Sequence, residues 1–352
     1  MEKKDFKKKK FFILLFIIIL INYNVYIKKR SKNFQPKISI FLPIYNKEEF
    51  LKKSIRSIQK QTLNDIEIIP INDCSEDNSL EVLKKMSKRD SRIKIINNDR
   101  NRGLLYSRAM GILNSKGEYI MNLDPDDELV GRDNLEYLYK IINKLKVDVI
   151  SFGYIIKKPG KTPIKNFLCT NFKNIQFQPE ILNSNIDNFD FLIWNKLVKK
   201  RVFKKAYFFF KDKIYGEKWN YAEDEIWSIL INKYARTKIC IGKTIYKYNI
   251  NNLSLMSNTN NILYIKNIIN WIEILKIILI YKNEKIYLNR FNTFIKIIEN
   301  NRRYIGNISN FRKINNKYFN IFRNIAFKIE INNETLKYVI DSLKNKVMNI
   351  SS

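Results

Sequence analysis

Apolar stretches begin near Ile38, Ile66, Ile93 and Tyr119, about 25 to 28 residues apart, with amphipathic segments between them. Leu51, Ile55 and Ile58 share one helical face, and so do Leu80, Leu83 and Met86. Strands alternating with helices at this spacing dictate βαβ units around a mostly parallel sheet. The first stretch, Ile38-Ser-Ile-Phe-Leu-Pro43, is nearly all apolar, as a strand covered on both faces must be. Pro70 lacks an amide hydrogen and suits a central strand poorly, so it predicts a bulge or an early strand end. Further on, residues 134–146 read as a helix with Leu135, Leu138, Ile141, Ile142 and Leu145 on its apolar face. Val147 to Phe152 reads as another strand, residues 156–190 are poorly patterned, and helix returns at 222–234. From about residue 260 the chain looks mainly helical. Its apolar stretch 262–281 carries Lys266, Glu273 and Lys276, which favours an amphipathic helix over a membrane span.

The amino terminus obeys a different rule. Lys7 to Lys10 precede an unbroken apolar run from Phe11 to Ile21, extended to Ile27 and closed by Lys28, Lys29 and Arg30. A helix over 11–27 reaches about 25 Å, close to a hydrocarbon core of about 30 Å once flanking lysines snorkel. A cleaved signal peptide would need small residues after the run, and Asn22 to Tyr26 offers none. The expectation is an uncleaved anchor, with a signal peptide or a buried helix as the alternatives. The balance of flanking lysines points the amino terminus to the cytosol and the body to the lumen of the secretory pathway. Sequons at Asn252, Asn307, Asn333 and Asn349 suit that single-pass, type II placement. The domain reading is therefore a basic tail over 1–10, an anchor over 11–27, a stem over 28–36, an α/β body over 37–250 and a helical region over 251–352.

The chain carries 65 Lys+Arg against 34 Asp+Glu, a formal net charge of +31. The charge is spread along a sequence crowded with Lys, Asn and Ile and forms no single stripe, so no nucleic-acid partner is expected. There is no His, and the three cysteines, Cys74, Cys169 and Cys240, have neither zinc spacing nor a disulfide framework. Against this background Asp124, Asp126 and Asp127 cluster at the end of the strand beginning at Tyr119. Like charges repel, so a cation is expected beside them. With no His present, an oxygen-ligated Mg²⁺ or Mn²⁺ gripping substrate phosphates is the natural candidate. The alternative is a solvated acidic turn with Asp124 capping the next helix.

Open parallel sheets bind ligands at the carboxyl ends of their strands. Strand one ends at Pro43-Ile-Tyr45-Asn46 and strand two at Asn72-Asp73-Cys74-Ser75-Glu76-Asp77. Tyr45 offers a ring to stack on a base, and Asp73 an acceptor for base or ribose. A core-edge aromatic and a helix cap are the plainer alternatives. Together with Asn101-Arg-Gly-Leu-Leu-Tyr-Ser-Arg108 and Gly117-Glu-Tyr-Ile-Met-Asn-Leu-Asp-Pro-Asp-Asp127, these segments resemble family 2 glycosyltransferases of the GT-A fold, in the family's order and spacing. Trp194-Asn195-Lys196-Leu197 and Tyr221-Ala-Glu223-Asp224-Glu-Ile-Trp227 resemble later segments of the same family.

The resemblance implies a Rossmann-like GT-A domain whose Pro43, Tyr45, Asp73, Arg108 and Asp124 line the nucleotide-sugar site. It implies that Asp124, Asp126 and the adjacent Asp127 serve the metal, and that Asp224 is the general base. The expected reaction is metal-dependent transfer of one sugar, with inversion, to a hydroxyl of a glycan, glycoprotein or lipid. Two departures stand out. The usual Asp-Asp-Gly-Ser after strand two is Asn72-Asp73-Cys74-Ser75, and Cys74 in place of glycine constrains the turn. The Gln-x-x-Arg-Trp signature of processive synthases is absent, which favours single addition. Two other readings remain: a transferase acting on polyprenyl phosphate at the cytosolic face, and a non-catalytic basic protein that binds nucleotide or nucleic acid.

Overall fold

The computed structural model describes residues 35–166, 175–177, 192–215 and 223–250. The basic tail, the expected anchor over 11–27, most of the stem, the helical region from 251 and all four sequons lie outside the described residues. Among the described residues, no helix is long and apolar enough to cross a membrane.

Strand β1 (Ile38–Ile44) is buried along its whole length, as its unbroken apolar run requires. It pairs in parallel with β2 (Ile66–Asn72) on one side and β4 (Tyr119–Asn122) on the other, and β2 pairs in parallel with β3 (Ile96–Asn97). The sheet continues from β4 through the antiparallel β9 (Lys196–Lys199) to β6 (Val149–Lys157), β10 (Thr237–Asn249) and β5 (Glu128–Leu129). Short strands β7 (Ile164–Asn166) and β8 (Gln176–Phe177) add to β6 and β10. The expected mostly parallel α/β sheet is present, with β9 as the inserted antiparallel strand.

Pro70 neither bulges nor ends β2, because the register from Ile38↔Ile66 to Ile44↔Asn72 runs straight through Leu42↔Pro70. Ile68, two residues before it, donates its N–H to Arg92 O on the β3 side. Pro70 therefore turns its missing N–H toward the same side. There the ladder is interrupted between the bridge Ile68↔Ile93 and the pair Ile71↔Ile96. No hydrogen bond is lost.

Helix α1 (Glu48–Gln59) buries Leu51, Ile55 and Ile58 as its periodicity demands. Helix α2 (Ser79–Ser87) buries Val82 and Leu83, with Met86 half-buried against the core and Leu80 nearer the rim. Helix α4 (Asn134–Leu145) buries Leu135, Leu138 and Ile142. Three helices stack on the other side of the sheet centre: α3 (Leu104–Asn114), α5 (Lys200–Ile214) and α6 (Glu223–Tyr234). Edge-to-face rings tie them down, Phe41 of β1 on Phe203 of α5 at 6.4 Å and Phe203 on Trp227 of α6 at 6.2 Å. Cys240 in β10 is disulfide-bonded, although the cysteine spacing gave no disulfide framework. Cys74 is a free, exposed thiol.

Gly111 sets the approach of α3 to the sheet. A Cβ there would lie 2.7 Å from the Cβ of Phe41, which is fully buried. A mid-helix glycine is intrinsically unfavourable, so close packing is its reason for being there. Gly111→Ala should lower stability by about 1–3 kcal/mol through overpacking. Equilibrium denaturation should show this as a lower midpoint with an unchanged denaturant slope; an unchanged midpoint would refute the tight-contact argument.

Candidate active site

The strand order β3-β2-β1-β4 places a crevice outside the carboxyl ends of β1 and β4, where the chain direction through the sheet reverses. Tyr45, Asn46 and Lys47 leave β1 on one side, and Asp124 to Glu128 leave β4 on the other.

Each acid of the β4 turn has its own counter-group. Asp124 Oδ1 accepts from Arg108 Nη2 at 3.2 Å and from Asn122 Nδ2 at 2.8 Å. Asp126 Oδ2 accepts from Lys47 Nζ at 2.8 Å. Glu128 Oε1 takes Lys53 at 3.1 Å and Lys247 at 2.9 Å. Asp127 is turned inward. The Tyr246 hydroxyl donates to its Oδ2 at 2.7 Å and the Asn249 N–H to its Oδ1 at 2.8 Å. Burial, reinforced by Asp124 and Asp126, pushes the Asp127 carboxyl well above the ordinary range. Tyr246 also accepts the backbone N–H of Asp124 at 3.1 Å, and Asn249 Nδ2 donates to Asp126 O at 2.9 Å. Strand β10 therefore fixes the backbone of the acidic turn through two residues that the sequence did not single out.

The Trp194-Asn-Lys-Leu segment supports that clamp from below. Trp194 stacks on Tyr246 at 4.6 Å and on Tyr248 at 5.6 Å, and meets Tyr154 edge-on at 4.8 Å. Lys196, fully buried, bonds to Leu192 O and to Asn195 Oδ1.

Arg108 links the turn to the far side of the crevice. Only 3% of its side chain is exposed. Its Nη1 lies 3.0 Å from Glu223 Oε1, at the first residue of α6, while Nη2 faces Asp124. Burial pushes Glu223 up to about 7 against the pull of Arg108, and the next residue, Asp224, adds to the rise. Asp224 is raised as well, chiefly by burial, with Arg108 opposing and Asp124 adding to the shift. Its Oδ1 accepts the N–H of Glu225 at 2.9 Å, in the first turn of α6, where the helix dipole favours acids. The structure thus gathers Arg108, Asp124, Glu223 and Asp224 in one corner. Glu223 was flagged by the sequence only as a neighbour of Asp224.

At the end of β2, Asp73 is buried and bonded within the chain. Its Oδ1 accepts from Asn98 Nδ2 at 2.7 Å and from the Arg102 N–H at 2.9 Å, and its Oδ2 accepts from the Gly103 N–H at 2.7 Å. Gly103, at φ 91°, takes a conformation open mainly to glycine, which turns its N–H toward that carboxylate. Asp73 thereby shapes the loop that launches α3 and delivers Arg108. Asn72 donates to Asn97 Oδ1 at 2.6 Å, a bond that an ionised Asp could not donate. Cys74 sits at φ 57°, so the strain expected from replacing a glycine is present, on the order of 1 kcal/mol. Pro43 is buried within β1. Tyr45 stands at the rim, 40% exposed, its hydroxyl 3.3 Å from Glu76 Oε1.

Among the described residues, no group of three His, Cys, Asp or Glu is assembled to hold a metal. The donor set still fits a hard divalent ion that shares itself with phosphates, since such an ion needs only one or two carboxylates. Asp126 and Asp124 meet that need, each partly exposed at the crevice, whereas Asp127 has both oxygens engaged internally.

Residues 39–206 match the family model Glycosyl transferase family 2, so the chain carries a glycosyltransferase domain of that family. An uncharacterized glycosyltransferase, EpsJ, of Bacillus subtilis (strain 168) is 29% identical over 223 residues, 62% of this chain and 63% of that protein. The cholesterol galactosyltransferase of Borreliella burgdorferi is 34% identical over 182 residues, 48% of this chain and 49% of that protein. In both, the matched stretch is under two thirds of the relative's own length. The crystal structure of S. aureus TarS 1-349 in complex with UDP-GlcNAc superposes with a TM-score of 0.63 at 18% identity, covering 86% of this chain and 84% of that one. The GT-A-like architecture is thereby established.

The raised Asp127 carboxyl yields a pH prediction. An acid whose folded pKa exceeds its unfolded value binds more protons when folded, so its contribution to stability falls as pH rises above the unfolded value of about 4. Asp127→Asn removes that titration and keeps the acceptor for Asn249. The stability of the variant relative to wild type should therefore increase steadily from about pH 4 towards neutrality. Chemical denaturation at several pH values measures this; parallel curves would show that Asp127 is ionised in the fold.

Proposed function

We propose that the chain moves a single sugar from a nucleotide-sugar donor to a hydroxyl acceptor, with inversion and with the aid of Mn²⁺ or Mg²⁺. The observation that carries this reading is the bridge made by Arg108, which joins the acidic turn after β4 to the acids that open α6. Groups suited to a diphosphate and a group suited to a proton thus share one crevice. The family of residues 39–206 and the UDP-GlcNAc held by the TarS fold relative support a nucleotide-sugar donor.

In this reading Tyr45 stacks on the base at the rim, and the Asp73-braced loop forms the wall beneath it. Asp126 and Asp124 would hold the divalent ion, which would supply Lewis-acid stabilisation to the departing nucleoside diphosphate. Asp224 takes the proton from the acceptor hydroxyl, which attacks the anomeric carbon from the face opposite the leaving group. Arg108 keeps the two halves in register. The raised Asp224 suits a base, because a carboxylate with ordinary acidity is a weak proton acceptor near neutrality.

Two observations bear on the acceptor class. A relative named for cholesterol and the apolar run over 11–27 both favour a lipid or membrane-held acceptor. The lumenal, type II placement and its cytosolic-facing alternative are separated by protease protection of the full chain in sealed vesicles.

The test uses the full chain in detergent with UDP-, GDP- and dTDP-sugars, with and without Mn²⁺. Release of nucleoside diphosphate should require metal and disappear in Asp126→Ala. Asp224→Asn should retain donor binding and lose transfer by about 10²–10⁴-fold, the usual worth of a positioned base. A base must be ionised to act, so wild-type turnover should climb with pH through an acid limb lying above the ordinary carboxylate value of about 4. Hydrolysis that ignores both metal and substitutions would overturn the assignment.

A further inference from the structure

Lys47 has no role in the proposed chemistry, yet its ammonium lies 2.8 Å from Asp126 Oδ2, with 18% of the lysine side chain and 17% of the aspartate side chain exposed. Its backbone is fixed at the turn between β1 and α1. The Lys47 N–H donates to Ser79 Oγ at 3.0 Å, and its carbonyl accepts from the N–H groups of Phe50 and Leu51 at 3.0 and 3.2 Å. Its Nζ also stands 5.5 Å from the centre of the Phe50 ring. The ammonium thus spans the crevice from the β1 side to the β4 side. Along the turn, Asp124 is matched by a buried guanidinium and Asp127 by a hydroxyl and an amide, groups held by packing. Asp126 alone in the DxDD turn faces an ammonium on a flexible four-carbon stem, a compact charge that binds phosphate as a point charge.

We propose that Lys47 is an exchangeable counter-ion of the donor site: it neutralises Asp126 while the crevice holds no nucleotide, and moves to a phosphate oxygen of the diphosphate when the donor enters. This rests on the glycosyl-transfer reading above and adds a residue to it. Two consequences have opposite signs. A divalent cation arriving without nucleotide has to displace the ammonium from Asp126, so Lys47 weakens metal binding to the free protein. A nucleoside diphosphate arriving without metal gains the ammonium, so Lys47 strengthens nucleotide binding.

The experiment measures two affinities on the full chain in detergent. Mn²⁺ binding without nucleotide is followed by electron paramagnetic resonance of the free ion. UDP, GDP and dTDP binding with and without Mn²⁺ is followed by calorimetry. In Lys47→Met, Mn²⁺ should bind about tenfold more tightly to the nucleotide-free protein, the effect of one charge-assisted contact released. The nucleotide that wild type prefers should bind about tenfold more weakly without metal, for the same reason. Lys47→Arg should restore the nucleotide affinity and keep Mn²⁺ weak. Lys47→Gln, polar and of similar reach, should behave as Lys47→Met and controls for loss of packing. A merely structural lysine would weaken both affinities together or neither, and either result overturns the proposal while leaving the donor reading intact. Failure of wild type to bind any nucleoside diphosphate, with or without Mn²⁺, overturns the donor reading and the role of Lys47 with it.

Discussion

The corner of this molecule where chemistry is expected depends on one buried guanidinium. Arg108 has almost no contact with solvent, and it holds Asp124 and Glu223 on opposite sides of a crevice. A buried pair of this kind is not a cheap source of stability, because desolvating the charges offsets most of their attraction. Its value lies in geometry. With two carboxylates as partners, the guanidinium fork fixes the end of β4 against the start of α6. Removing either acid would leave an arginine without its charge balance. Everything upstream serves to deliver it: Asp73 gathers two backbone amides and an asparagine, Gly103 supplies the one conformation that permits this, and α3 starts there and carries Arg108 inward.

The same economy governs the acidic turn. In a chain with a formal net charge of +31, solvated lysines are everywhere and carry little structural information. Around Asp124, Asp126, Asp127 and Glu128 the counter-groups are of different kinds: a guanidinium, an ammonium, a hydroxyl with an amide, and two lysines. That difference matters because a packed guanidinium or a buried hydroxyl cannot leave its partner without cost. An ammonium at the rim can. The turn therefore combines two acids held by packed groups, Asp124 and Asp127, with two that face ammoniums, Asp126 and Glu128.

Much of the sheet was legible in the sequence because the strands near Ile38, Ile66 and Tyr119 are buried on both faces, and an unbroken apolar run has few other places to go. The acidic turn was legible for the opposite reason, since clustered carboxylates are expensive in isolation and rare in so basic a chain. What the sequence hid was β9, α5 and β10. Strand β10 mixes Lys, Ile, Tyr and Thr because its faces are only partly covered, so it shows neither clean alternation nor an apolar run. Tyr246 and Asn249, which clamp the turn, are thereby indistinguishable from the many other Tyr and Asn residues. Lys47 was hidden by abundance, and Pro70 misled because strand membership depends on which side of the ladder lacks a partner. The strain at Cys74 was legible, since a glycine position filled by another residue keeps its backbone geometry.

These observations bear on how a site can be built without histidine. Proton transfer near neutrality needs a group whose acidity has been weakened, and a carboxylate reaches that state only by burial or by proximity to other acids. The α6 acids have both: burial is the largest influence on Glu223 and Asp224, and Asp124 adds to it from across the crevice. Arg108 pulls both acids in the opposite direction. The guanidinium therefore sets the balance, holding the acids close enough to raise one another while opposing part of that rise. The cation that draws the crevice together is also the one that tunes its acids, so position and acidity cannot be varied independently here.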